Sequence, residues 1–123
     1  MPVRIKSKTR LQGSVTPSAL NTETDIVNLA DQSDDYIVEG QISLQNLDSG
    51  DTVIIRTYIA VDGTNQKKTD ELTFSGALDI PVVRIPAVTL AYNAKFRLTV
   101  TQTAGTTLKA FPYTVIYQIM ETI

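Results

Sequence analysis

Histidine, cysteine and tryptophan are all missing from this 123-residue chain. Without histidine or cysteine, the commonest general base, the thiol nucleophile and the commonest transition-metal ligands are gone. Ser–His–Asp, Cys–His and zinc chemistries are therefore excluded, and so are disulfides. Long apolar runs are missing too. None approaches the roughly 20 residues an apolar helix needs to cross a bilayer. The N-terminus also lacks the apolar core, roughly 7–15 residues long, of a secretory signal. These absences predict a product made in the cytoplasm, with no signal peptide, transmembrane segment or membrane partner.

Hydrophobic residues make up 42% of the chain and charged residues 20%, the balance of a folded globular protein rather than a disordered one. A chain of this length buries a real core without staples. The net charge is only −2, so bulk electrostatics do not mark a nucleic-acid binder.

The charge is unevenly spread. Arg4, Lys6, Lys8 and Arg10 stand on alternate residues near the start, while the other 113 residues hold seven cations against thirteen acids. In an extended segment that spacing places all four cations on one face. Residues 1–24 are polar and punctuated by Gly13, Pro17 and Asn21. They read as an extended arm with a short strand at 3–11 and an irregular loop, ahead of a folded domain over 25–123.

From Thr24 the pattern is one of strands. Tyr36, Val38, Gly40, Ile42 and Leu44 alternate with Ile37, Glu39, Gln41 and Ser43, the period of a half-buried strand. Thr52 to Val61 is β-branched and apolar on both faces, as a central strand should be. Asp62-Gly63 carries the signature of a type I′ hairpin turn. Ile80 to Ile85 carries Pro81 and is followed by Pro86, which confines it to an edge or to irregular extended backbone. Phe96, Leu98 and Val100 alternate with polar residues, and so do Tyr113, Val115 and Tyr117, pointing to a closing hairpin of long strands. The one helix candidate, Asp25–Asp31, is one to two turns long. Seven or eight strands at roughly 8–12-residue spacing predict an all-β, antiparallel two-sheet β-sandwich, jelly-roll-like, with the extended N-terminal arm attached.

Three groups of residues merit weighing as sites. The arm residues Val3, Arg4, Ile5, Lys6, Lys8, Arg10 and Leu11 suit a partner-binding segment, with the cations orienting it and the apolar residues supplying buried area. Because exposed ion pairs contribute only ~0–1 kcal/mol each, firm binding would need that packing or strand addition to a neighbouring sheet. Nucleic acid is disfavoured, since no aromatic residue precedes Tyr36 and stacking platforms need them. Asp31, Asp34 and Asp35 are oxygen ligands of a kind calcium accepts, but turns favour aspartate for backbone reasons alone. Tyr92-Asn93 is the one dipeptide suited to a carbohydrate-binding loop.

The polar N-terminal segment, the cysteine-free strand-rich body, and segments such as Ile42–Ile55 and Leu98–Gly105 resemble small all-β virus and phage particle proteins, of the capsid decoration or cement kind. That resemblance implies a non-enzymatic virion protein without catalytic residues, cofactor or metal. It also implies a homo-oligomer or a capsid protein as partner. The alternative reading is a carbohydrate-binding sandwich module.

Overall fold

The strands pair in nested fashion, last with first. The computed structural model describes residues 2–123 and contains β1 (Val3–Val15), β2 (Thr24–Asn28), β3 (Tyr36–Ser43), β4 (Thr52–Ala60), β5 (Lys67–Ser75), β6 (Val82–Leu90), β7 (Lys95–Ala104) and β8 (Phe111–Thr122). No helix occurs among the described residues. Antiparallel ladders join β4 to β5, β3 to β6, β2 to β7 and β1 to β8. Two further ladders, β3 with β8 and β4 with β7, complete sheets of order β1-β8-β3-β6 and β2-β7-β4-β5. A chain doubled about its β4–β5 turn and then rolled up gives this order. It is the eight-stranded jelly roll.

The inner faces follow from the period of two. Tyr36, Val38 and Ile42 of β3 meet Val53 and Ile55 of β4, Phe96, Leu98 and Val100 of β7, and Phe111 and Val115 of β8 in one buried cluster. Burying each such side chain contributes roughly 1.5–3 kcal/mol before chain entropy is set against it. Tyr36 places its ring edge-to-face on Tyr117, with centroids 6.4 Å apart, and donates its hydroxyl proton to the Ala94 carbonyl. Its polar tip is therefore satisfied inside the core.

The N-terminal segment is extended, but it is built into the sandwich. Val3 to Val15 runs along β8, with Leu11 opposite Val115 and Val15 opposite Phe111. The strand is longer than the expected 3–11, and a division after residue 24 does not separate an arm from the domain. The short polar run hid the pairing because β1 is an edge strand, one side of which faces solvent.

Two turn expectations are corrected. β7 and β8 are not a hairpin, because they lie in different sheets. The chain crosses between the sheets through residues 105–110, pinned by the fully buried Gln102. Its amide nitrogen donates to the carbonyls of Ala104 (3.2 Å) and Thr107 (2.9 Å), and its oxygen accepts from the Lys109 N–H (2.9 Å). At Asp62-Gly63 only Gly63 has positive φ, at 81°, whereas a type I′ turn requires it at both residues. The Asp62 carboxylate instead accepts from the N–H groups of Thr64 (2.9 Å) and Asn65 (2.7 Å). These bonds hold its pKa down at about 2.

Candidate interaction surface

The register of β1 decides which cations share a face. A bulge falls between Ile5 and Ser7, so that Arg4 lies opposite Glu121 and Lys8 opposite Gln118. Glu121 and Gln118 sit on opposite faces of β8. The expected single row of four cations is therefore split by the bulge. Arg4 turns to Glu121 and donates to it at 2.6 Å. Lys6 is the extra residue and has no cross-strand partner. Lys8 and Arg10 point outward, opposite Gln118 and Ile116.

The same alternation defines the outer face of this sheet. Val115 and Phe111 point inward, so Ile116, Gln118 and Met120 point outward, and Ile37, Glu39 and Gln41 of β3 lie beside them. Arg84 of β6 continues the row from Gln41. Val3 and Ile5 are 61% and 45% exposed, and Ile5 lies directly opposite Met120 on this outer face. Leu11 packs against the sandwich's own core. The structure thus brings Val3, Ile5, Lys8 and Arg10 together on one surface, while Arg4 is engaged with Glu121 and Leu11 is turned inward.

Among the described residues, six of the eleven cations are in ion pairs: Arg4, Arg56, Lys68, Lys95, Arg97 and Lys109. The others are Lys6, Lys8, Arg10, Lys67 and Arg84. All but Lys67 belong to the β1-β8-β3-β6 sheet.

The outer face of the second sheet is the opposite case, and nothing in the sequence pattern marked it. Glu23 accepts from the hydroxyls of Tyr58 (2.5 Å) and Thr99 (2.6 Å). Arg56 donates to Glu71 at 2.6 Å, Arg97 donates to Asp25 at 2.6 Å, and the Arg97 guanidinium lies 5.2 Å over the Tyr58 ring. Partial burial pushes the Glu23 carboxyl up, but the Thr99 and Tyr58 hydroxyls and the two guanidinium groups outweigh it and hold its pKa below the usual value. Charges here neutralise one another, so little field is left for a partner.

Asp31, Asp34 and Asp35 do not converge. Asp31 lies 3.9 Å from Lys95, Asp34 accepts from the Asp35 N–H at 2.7 Å, and Asp35 accepts from the Tyr92 N–H at 3.0 Å. Among the described residues no three His, Cys, Asp or Glu side chains gather as a metal-binding group. Tyr92 is 53% exposed and has no second aromatic of comparable exposure beside it among the described residues. Asp48 and Asp51 share Lys109, at 2.7 and 3.7 Å, and the buried Asp51 also accepts from the Asp48 N–H at 2.9 Å.

What the fold and surface define is a jelly-roll protein with one neutralised face and one basic, partly apolar face. No protein-family model and no curated protein sequence matches the chain. Among solved structures it is similar to a chain in the structure of infectious bursal disease virus Gx strain, with a TM-score of 0.55 and 9% identity, over 95% of this chain and 32% of that one. It is also similar to a chain of the infectious bursal disease virus VP2 subviral particle, with a TM-score of 0.50 and 9% identity, over 95% of this chain and 33% of that one. The chain spans about a third of the length of these neighbours. At this identity the likeness is one of fold.

Proposed function

We propose that this protein is a non-enzymatic structural component of a virus particle, attaching to other particle subunits through the outer face of its β1-β8-β3-β6 sheet. The fold, shared with chains of virus particles, supports that setting. The observation that carries the surface assignment is the gathering of Lys6, Lys8, Arg10 and Arg84, all without ion pairs among the described residues, on one sheet of a chain whose net charge is negative. Val3, Ile5 and Met120 supply apolar area beside them, and the cations orient an acidic neighbour.

Attachment uses the face rather than strand addition. Each of the four edge strands carries a register shift: β1 at Lys6, β2 near Ile26, β6 at Pro86-Ala87 and β5 at Thr69. Bulges, lysines and proline on edges hinder pairing with another chain. The test is the solution mass at low and high salt. Charge reversal by Lys8→Glu with Arg10→Glu should abolish salt-sensitive association and leave the fold intact. Unchanged association in that variant would remove β1 from the interface.

A further inference from the structure

At the flank where β5 and β6 part, the two sheets do not close on one another. A cavity of about 260 Å³ opens there, floored by Ile55, Ile59 and Phe96 from the inner faces. Thr69, and Pro86 with Ala87, line it, and these are the residues at which β5 and β6 bulge. Two edge strands thus bend away from the ladder at the same level. The hydroxyls present are already satisfied, since Thr57 and Thr69 bond each other at 2.8 Å. The cavity therefore offers apolar surface and no free polar group on its floor. At its mouth stand Asp70 and Arg84, neither in an ion pair among the described residues.

A matching projection lies on the same chain. Ile80 is 84% exposed, more than any other large apolar side chain among those described. It does not sit on a loose tip. The next residue, Pro81, has a fixed φ, and its carbonyl accepts from the N–H of the buried Leu44 at 2.8 Å. Asp79, beside it, is also without an ion pair among the described residues. An apolar knob on the chain's own surface complements an apolar hole, and Asp79 beside the knob can meet Arg84 at a rim that also holds Asp70.

We infer that Ile80 of one copy inserts into the β5–β6 cavity of a second copy, with Asp79 placed against the rim residue Arg84. This rests on the reading of the protein as an assembling subunit and names a second contact, distinct from the one made by Lys8 and Arg10 and sharing only Arg84 with that face. A projection that fits a pocket elsewhere on the same surface drives association between copies.

Sedimentation equilibrium of four samples tests it. Ile80→Gln removes the knob, and Ala87→Trp fills the hole; circular dichroism and thermal melts check that both fold. Each variant alone should associate about tenfold or more weakly than the wild type, the loss expected for one buried aliphatic side chain. An equimolar mixture of the two should regain association, because one intact knob then meets one intact hole. As a check independent of cavity packing, Asp79→Arg and Arg84→Asp should each weaken association, and the double variant should recover it. A wild type that stays monomeric at all concentrations would overturn the proposal. So would a mixture no stronger than its components, or an Ala87→Trp effect without an Ile80→Gln effect, which would mean that the cavity takes some other ligand. Failure here leaves the salt-sensitive Lys8 and Arg10 contact measurable on its own, so the two readings fall separately.

Discussion

The carboxylate of Asp51 lies where a β-carbon on Gly105 would go. Asp51 is buried just before β4, Gly105 follows β7 at φ 126°, and the Lys109 ammonium lies 3.7 Å from the Asp51 carboxylate. The crossing from one sheet to the other is built around this contact. Gly105→Ala should therefore cost at least ~2 kcal/mol, combining backbone strain with a displaced buried carboxylate. Gly50→Ala is the control. It has a similar sign of φ, at 92°, but open space around it, so only strain of about 1–2 kcal/mol is expected. Urea unfolding of the two variants checks the difference. Equal losses would mean that Asp51 yields freely.

Tyr36 gives the alkaline limit of stability. Burial first, then the charge of Asp31 and the neighbouring Tyr117, pushes its hydroxyl up to about 12 from an ordinary 10.0. The folded state keeps this proton where the unfolded state loses it. Its contribution is thus whole below pH 10 and is lost as pH rises through 12. Ultraviolet titration should show Tyr36 ionising only with the unfolding transition, and Tyr36→Phe should flatten the loss of stability between pH 10 and 12. If all the tyrosines titrate together near 10, the hydroxyl is not buried.

Glu23 acts on the acid side. Its carboxyl is held below the ordinary 4.5 despite partial burial. The unfolded state therefore binds its proton first, and stability present above pH 4.5 is lost as pH falls through the lower folded value. Glu23→Gln should reduce the steepness of acid unfolding and lower stability at pH 7 modestly. An unchanged acid limb in thermal melts would show that the Tyr58 and Thr99 hydrogen bonds do not favour the charged form.

Core substitutions should behave as the alternation requires. Leu98→Asp or Val115→Asp puts an unpaired charge in the shared cluster and should abolish folding. Gln118→Asp and Thr114→Asp, on the other face of β8, should leave a cooperative melt in circular dichroism. Loss of the fold in the outward pair would mean the assignment of faces along β8 is inverted.

The sandwich was legible wherever alternation was clean. Tyr36 to Ser43, Thr52 to Ala60 and Lys95 to Val100 read as strands because the hydrophobic period matches a pleat with one or two buried faces. The partners were not legible. Phe111 to Thr122 looked like the return of a hairpin because turn residues precede it, yet β8 pairs with β1, over a hundred residues away along the chain. Period alone does not encode which strand a strand meets. β1 was read as a short strand over 3–11, but its full length and its partner were hidden by its being polar on an exposed edge, and its bulge at Lys6 leaves no local signature, so the row of four cations resolved only with the register. The Glu23–Tyr58–Arg97 cluster joins residues from β4, β7 and the approach to β2, a convergence that only the rolled topology creates.

The proposed attachment runs through the basic face of the β1-β8-β3-β6 sheet, where Lys8 and Arg10 stand outward. Sedimentation velocity at low and at high salt, on the wild type and on the Lys8→Glu, Arg10→Glu variant, tests it most directly. Expected is a wild-type multimer that loosens as salt rises, and a folded variant that has lost this salt-sensitive step. Identical sedimentation of both proteins at every salt concentration would contradict it.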